Sequence, residues 1–85
     1  MVIDFHKDFT KSFEKISPKI KAKFQERLLL FEKDEFDPIL NNHALKGEYL
    51  GYRSINVTGN LRALYKKDND KVIFVSIDSH SNLYG

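Results

Sequence analysis

Apolar residues recur along this chain with two periods, and the change from one to the other divides it. Residues 2–5 are short and mostly apolar, as a strand would be. Phe9, Phe13 and Ile16 then fall four and three residues apart, the spacing of one helix face, with Asp8 the expected N-cap. Ser17-Pro18 restarts the helix. Serine suits the cap, and proline suits the first helical position, where its missing N–H has no partner to lose. Ile20, Phe24, Leu28 and Phe31 form an apolar stripe that predicts a second helix to about Lys33. The stripe should pack on a sheet and leave the Lys and Arg residues on the other face.

Residues 36–47 read as a connection in which Pro38 opens one helical turn through Ile39, Leu40 and Asn41. Beyond it the period shortens to two. Residues 52–57 and 61–67 alternate, and residues 72–77 are nearly all apolar. Thr58-Gly59-Asn60 and Asp68-Asn69-Asp70 supply the turns between them. The predicted order is β-α-α-β-β-β in a single domain over residues 1–85. This is an α+β fold, with two N-terminal helices packed on one face of a small, mainly antiparallel sheet.

The loop at residues 58–60 sets which side chains share a face. A two-residue loop would put Val57 opposite Arg62; a three-residue loop puts Asn56 opposite Arg62 and Ile55 opposite Ala63. The second is expected, with Asn60 in the left-handed conformation at the loop's end. It gathers Ile55, Val57, Leu61, Ala63, Tyr65, Ile73, Val75 and Ile77 on the face the helices cover. The other face then carries Tyr52, Ser54, Asn56, Arg62, Leu64, Lys66, Phe74, Ser76 and Asp78, and a one-residue slip would exchange the two.

Composition narrows the function. The 85 residues include no cysteine, which excludes disulfides, thiolate zinc sites and a cysteine nucleophile, and which fits a cytoplasmic protein. The first residues contain no apolar signal segment, and apolar runs reach only four residues, as at 28–31, so no membrane association is expected. Net charge is only +2, but it is unevenly spread. Residues 11–27 hold six cations against the carboxylates Glu14 and Glu26, whereas residues 32–37 hold four carboxylates against Lys33. The basic stretch reads either as an ordinary solvated helix face or as a surface that meets phosphates.

No phosphate-binding glycine loop, nucleophile elbow or zinc-protease motif occurs, and no metal site is read from the histidines. His43 and His80 each lie in a loop at an end of the strand region. Such rims are where reactive groups concentrate, and histidine suits proton transfer near neutral pH. Each could equally be a surface or capping histidine, the reading that also serves His6. Arg62, mid-strand, could pair with a carboxylate at the sheet edge or grip a phosphate. Tyr84 could pack at the terminus or stack on a base.

Four segments together resemble the RelE/ParE superfamily of toxins. They are His43-Ala44-Leu45-Lys46-Gly47, Gly51-Tyr52-Arg53-Ser54-Ile55-Asn56-Val57, Leu61-Arg62-Ala63-Leu64-Tyr65 and Ser79-His80-Ser81-Asn82-Leu83-Tyr84-Gly85. The closest group is the YafQ-like branch, which reads H-P-L-x-G, G-Y-R-x-x-x-V, R/I-x-x-Y and a closing G-T-H-x-x-L-[FY]. The segments cover about half the chain, and the predicted element order extends the likeness to its full length.

The resemblance implies the toxin of a type II toxin–antitoxin system, acting as a ribosome-dependent endoribonuclease on mRNA. The substrate 2′-hydroxyl would attack without a metal or other cofactor, leaving a 2′,3′-cyclic phosphate and a free 5′-hydroxyl. By position it implies catalytic roles for His43, His80, Tyr84 and Arg62, and RNA contacts from Lys46, Arg53, Asn56 and Asn60. The implied partners are a cognate antitoxin, the ribosome with its mRNA, and operator DNA reached only through the antitoxin complex. Lys19, Lys23 and Arg27 are the expected antitoxin contacts, with the open sheet face a further surface for it. The chain departs from the branch at three positions: Asn56 stands for a histidine, Asn60 for an aspartate and Leu61 for an aromatic residue. Asparagine hydrogen-bonds but exchanges no proton near neutral pH. A ParE-like toxin that inhibits gyrase, and a weakened toxin fold acting only through its antitoxin, are the alternative readings.

Overall fold

The computed structural model describes residues 1–84, with side chains through Leu83. Strand β1 (Val2–Phe5) leads into helices α1 (Lys7–Glu14) and α2 (Pro18–Lys33), and a 3-10 turn, Pro38–Leu40, follows, with a second at Gly47–Tyr49. Strands β2 (His43–Ala44), β3 (Arg53–Asn56), β4 (Leu61–Asp68) and β5 (Lys71–Ser79) come next, and α3 (His80–Tyr84) ends the chain. The sheet order is β1-β5-β4-β3-β2. Every pairing is antiparallel except β1 with β5, which are parallel and are separated along the chain by α1, α2 and strands β2 to β4. The predicted α+β architecture is thus observed, with the short β2 and α3 added to it.

Local chemistry starts the helices. Ser17 Oγ accepts the Ile20 N–H at 3.4 Å and Pro18 opens α2. For α1 the cap is His6 rather than Asp8: His6 Nδ1 accepts the Asp8 N–H at 3.1 Å. Asp8 instead sits in the first turn, where its negative charge complements the helix dipole.

The β3–β4 loop spans three residues, and Asn56 faces Arg62 and Ile55 faces Ala63 as the pattern predicts. Asn60 is not left-handed, however; among the described residues, positive φ outside glycine belongs to Asn41 and Asn69. Thr58 Oγ1 accepts the N–H groups of both Asn60 and Leu61, at 3.3 and 3.0 Å. This side-chain cap closes the loop and removes the need for a left-handed residue at its end.

The core corrects the predicted faces in β5. Pairing runs Ile77 to Ala63 and Ser76 to Leu64, then skips Val75, so that Phe74 meets Tyr65. This β-bulge inverts the alternation. Val72 and Phe74 are wholly buried under the helices, while Ile73 and Val75, expected there, are only half-buried. The Phe74 ring lies 5.6 Å from Phe24, 5.7 Å from Phe31 and 5.5 Å from Tyr65, at the centre of an aromatic core that includes Phe5 and Phe9. The other face is less open than expected. Leu45, Leu64 and Leu83 are buried there in a second cluster, with Tyr49, Tyr52 and Val75 packed against it.

Phe74→Ala should therefore destabilise the fold by about 3–5 kcal/mol, as for a fully buried aromatic residue, and Val75→Ala by only about 1 kcal/mol. Urea unfolding of the two variants checks this; equal losses would mean that Val75 shares the core and that the bulge is absent.

Candidate active site

His43 is placed by a short, heavily constrained segment. Asp37 Oδ1 accepts the Ile39 N–H at 3.0 Å to start the 3-10 turn, and fully buried Leu40 pins it to the core. Asn41 ends the turn in the left-handed conformation, φ 45° and ψ 48°, its N–H on the Pro38 carbonyl. Asparagine tolerates this geometry better than most residues. His43 then pairs with Ser54, and its side chain lies on the sheet face away from α1 and α2. Its Nδ1 lies 2.9 Å from the Asn41 carbonyl oxygen. A carbonyl only accepts, so this nitrogen carries a proton, and in the neutral ring Nε2 keeps the lone pair.

His80 stands where β5 turns into α3. Its backbone N–H donates to the Asn60 carbonyl at 2.9 Å, which ties the β3–β4 loop to the start of the helix. Asp78 Oδ1 accepts the Ser79 N–H and the Asn82 side-chain amide, and Leu83 seats α3 on Leu45 and Leu64. His43, Ala44, Leu45, Lys46 and His80 together line an open depression of about 350 Å³. Three of the predicted site residues, His43 and Lys46 from one segment and His80 from another distant in sequence, thus share one concavity. Gly47, at φ +66°, turns the chain directly after Lys46 and so lets β2 fold back on β3.

The other predicted residues divide. Asn56 faces Arg62, which faces Asp78, on the same side of the sheet as His43. Arg62 Nη1 donates to the carbonyls of Thr58, Gly59 and Leu61, at 3.0, 3.2 and 3.2 Å, so this nitrogen braces the loop that carries the exposed Asn60. Ser54 Oγ and Asn56 Oδ1 are buried with no hydrogen-bond partner in the protein. Such groups are rare in folded proteins. Arg53, expected at RNA, sits elsewhere: it pairs with Ala44 and Tyr65, on the helix side of the sheet, and its guanidinium lies 5.3 Å from the Phe36 ring centre. The side chain of Tyr84 lies outside the described residues.

On the basic helix, Lys19 is exposed and Lys23 lies 3.7 Å from Glu26. Arg27 Nε donates to the Val57 carbonyl at 3.5 Å, so Arg27 also helps to hold the β3–β4 loop.

The motif reading missed a polar network on the helix face. Asn42 Nδ2 donates to the Glu35 carbonyl at 2.9 Å and to the Tyr65 hydroxyl at 2.7 Å, and Asn42 Oδ1 accepts from Arg53 Nε at 2.8 Å. Tyr65 donates in turn to Glu35 Oε2, and Lys67 pairs with Glu35 Oε1 at 2.7 Å. No sequence spacing marks these residues as a group; only Asn42, next to His43, offered a hint.

A second groove, lined by Phe5, Phe9, Phe13, Phe24 and Leu28, holds only Thr10 and Gln25 as polar residues and offers no group for proton transfer. Among the described residues, no helix is long and apolar enough to cross a membrane.

The family and the fold are both shared with known proteins. A family model described as a bacterial toxin of type II toxin–antitoxin system, YafQ, matches residues 1–85. YafQ from E. coli strain BL21(DE3) superposes with a TM-score of 0.74 at 21% identity, covering 98% of this chain and 97% of its own. The YoeB/ParE toxin from Agrobacterium tumefaciens gives a TM-score of 0.78 at 16% identity, over 94% and 99% of the two chains. The toxin of the E. coli DinJ-YafQ toxin-antitoxin complex gives 0.71 at 22% identity, over 98% and 96%. No curated protein matches the sequence.

The network carries a pH dependence. Burial raises the Tyr65 phenol above its ordinary value of 10.0; Glu35 adds to the rise, while Asn42 and Arg53 oppose it. Folded Tyr65 therefore keeps its proton where the unfolded chain has lost it. Its contribution is whole below about pH 10 and is lost as pH rises through the folded-state value. The hydrogen bond and charge of Glu35 raise Lys67 in the same sense, with a smaller contribution from Tyr65 itself. Urea midpoints at about pH 9 and about pH 11 should fall more steeply for wild type than for Tyr65→Phe.

Proposed function

Because the chain belongs to the YafQ family of toxins from type II toxin–antitoxin systems, we propose that it is an endoribonuclease that cuts mRNA on the ribosome. The observation that carries the reading is the shared concavity of His43, His80 and Lys46. His43 Nε2, left with its lone pair by the Nδ1 contact to Asn41, takes the proton of the substrate 2′-hydroxyl. The 2′-oxygen attacks the adjacent phosphorus. The bond from phosphorus to the 5′-oxygen breaks, and protonated His80 gives its proton to that leaving oxygen. The products are a 2′,3′-cyclic phosphate and a 5′-hydroxyl, and the reaction is balanced without a metal ion. Lys46 offsets charge on the phosphoryl oxygens.

Asn56 and Ser54 place buried polar atoms with no hydrogen-bond partner in the protein on the same sheet face. Asn56 cannot exchange a proton, so the site works with two histidines where the branch has three. Ordering of the mRNA by the ribosome makes that sufficient: positioning for in-line attack can remove about 7–11 kcal/mol of barrier. Arg62 braces the loop that meets His80.

The cognate antitoxin is the second partner, and the DinJ-YafQ toxin-antitoxin complex of E. coli supports this reading. Lys19 and Lys23 offer an exposed or half-exposed positive surface on α2 for an acidic antitoxin segment.

His43→Ala and His80→Ala should each lower cleavage of ribosome-bound mRNA by about 10²–10⁴-fold. Primer extension on translating ribosomes measures this. Intact mRNA with a folded, antitoxin-binding wild type would sink the nuclease reading, and growth arrest without cuts would redirect it to gyrase. Charge reversal of Lys19 and Lys23 together should weaken antitoxin binding, with a smaller dependence on salt than wild type; titration calorimetry at two salt concentrations checks it.

A further inference from the structure

The Asn41–Asn42 peptide links the polar network on one face of the sheet to His43 on the other. The Asn42 amide is fully committed. Both of its donor contacts end on acceptors, the Glu35 carbonyl at 2.9 Å and the Tyr65 hydroxyl at 2.7 Å. Its oxygen takes the Arg53 Nε–H at 2.8 Å, and arginine can only donate, so the orientation of the amide is unambiguous. These three bonds tie residue 42 to the end of α2, to β3 and to β4.

The carbonyl that receives His43 Nδ1 belongs to Asn41. It lies in the planar peptide unit that ends at the Asn42 Cα, so fixing Asn42 fixes the direction of that carbonyl. Asn41, at φ 45°, approaches from a backbone conformation that needs such support.

We propose that Asn42 is a positioning residue that selects the Nδ1-protonated tautomer of His43, with Arg53 and Tyr65 acting through it. Nε2 is thereby held as the basic nitrogen toward the depression. Arg53, stacked at 5.3 Å from Phe36 and bonded to Asn42, serves the site from behind and does not meet RNA. The consequence for cleavage rests on the nuclease reading; the consequence for the His43 ring does not.

The test is long-range ¹H–¹⁵N correlation of the ¹⁵N-histidine-labelled full chain in alkaline buffer, with His43 assigned by the signal lost in His43→Gln. Wild type should show the Nδ1–H pattern. Asn42→Ala should move His43 toward the tautomer mixture of free imidazole, and Tyr65→Phe should move it part of the way. Single-turnover cleavage on ribosomes should fall about 10–100-fold in Asn42→Ala with KM unchanged, the size expected for a misplaced reacting group. A wild-type Nε2–H pattern, or an Asn42→Ala ring unchanged from wild type, would overturn the proposal. So would full cleavage activity in a variant whose tautomer had shifted. If Asn42→Ala does not fold, Tyr65→Phe decides: a shifted ring upholds the proposal and an unchanged one overturns it. If wild type leaves mRNA intact, the nuclease reading fails, and the tautomer comparison still decides the role of Asn42.

Discussion

The structure depends on one register shift in the β4–β5 hairpin. Up to Leu64 and Ser76 the two strands alternate together; past them the bulge at Val75 turns β5 over, so that Phe74 faces Tyr65 under the helices. Without it Phe74 would point away from Phe24 and Phe31, and the aromatic core would lose its centre. The same shift releases Val75 to pack with Leu64 and Tyr52 on the other side. Both hydrophobic clusters therefore follow from a single extra residue, the usual effect of a bulge on which way side chains point.

With two faces so defined, the sheet separates the core from the candidate site. The helix face carries the core and, at its edge, the Asn42–Tyr65–Glu35 network. The opposite face carries His43, and α3 brings His80 to the rim of the same depression. The second cluster of Leu45, Leu64 and Leu83 joins the two histidine-bearing segments, since it packs α3 against the chain that follows β2. A site built this way draws its rigidity from packing behind it, which is what a group that must hold a proton-transfer geometry needs.

The three arginines that sequence reasoning gave to RNA or to the antitoxin each have partners within the protein. Arg62 Nη1 holds three loop carbonyls, Arg27 reaches a fourth at Val57, and Arg53 lies on the helix side between Asn42 and Phe36. Arginine presents several donors in a fixed fork, so it suits clusters of backbone carbonyls as well as phosphates, and its position in a strand does not say which it will meet. Lys46, with a flexible stem and an exposed loop position, stays beside the histidines.

The sequence by itself determined the β-α-α-β-β-β order of the main elements, the Ser17-Pro18 start of α2, the three-residue β3–β4 loop with Asn56 opposite Arg62, and the family. These rest on local periodicity, capping chemistry and motif spacing, all of which are written in neighbouring residues. Only the tertiary structure decided the bulge at Val75, the capping role of His6, the loop closure by Thr58 that spares Asn60 a left-handed turn, and the network behind His43. The physical reason is common to most of them. Strict alternation cannot reveal where a strand skips a residue, because the skip is set by what the partner strand and the helices can bury. Nor can spacing reveal that Glu35, Asn42, Arg53 and Tyr65 meet, because their hydrogen bonds exist only once distant segments are packed together.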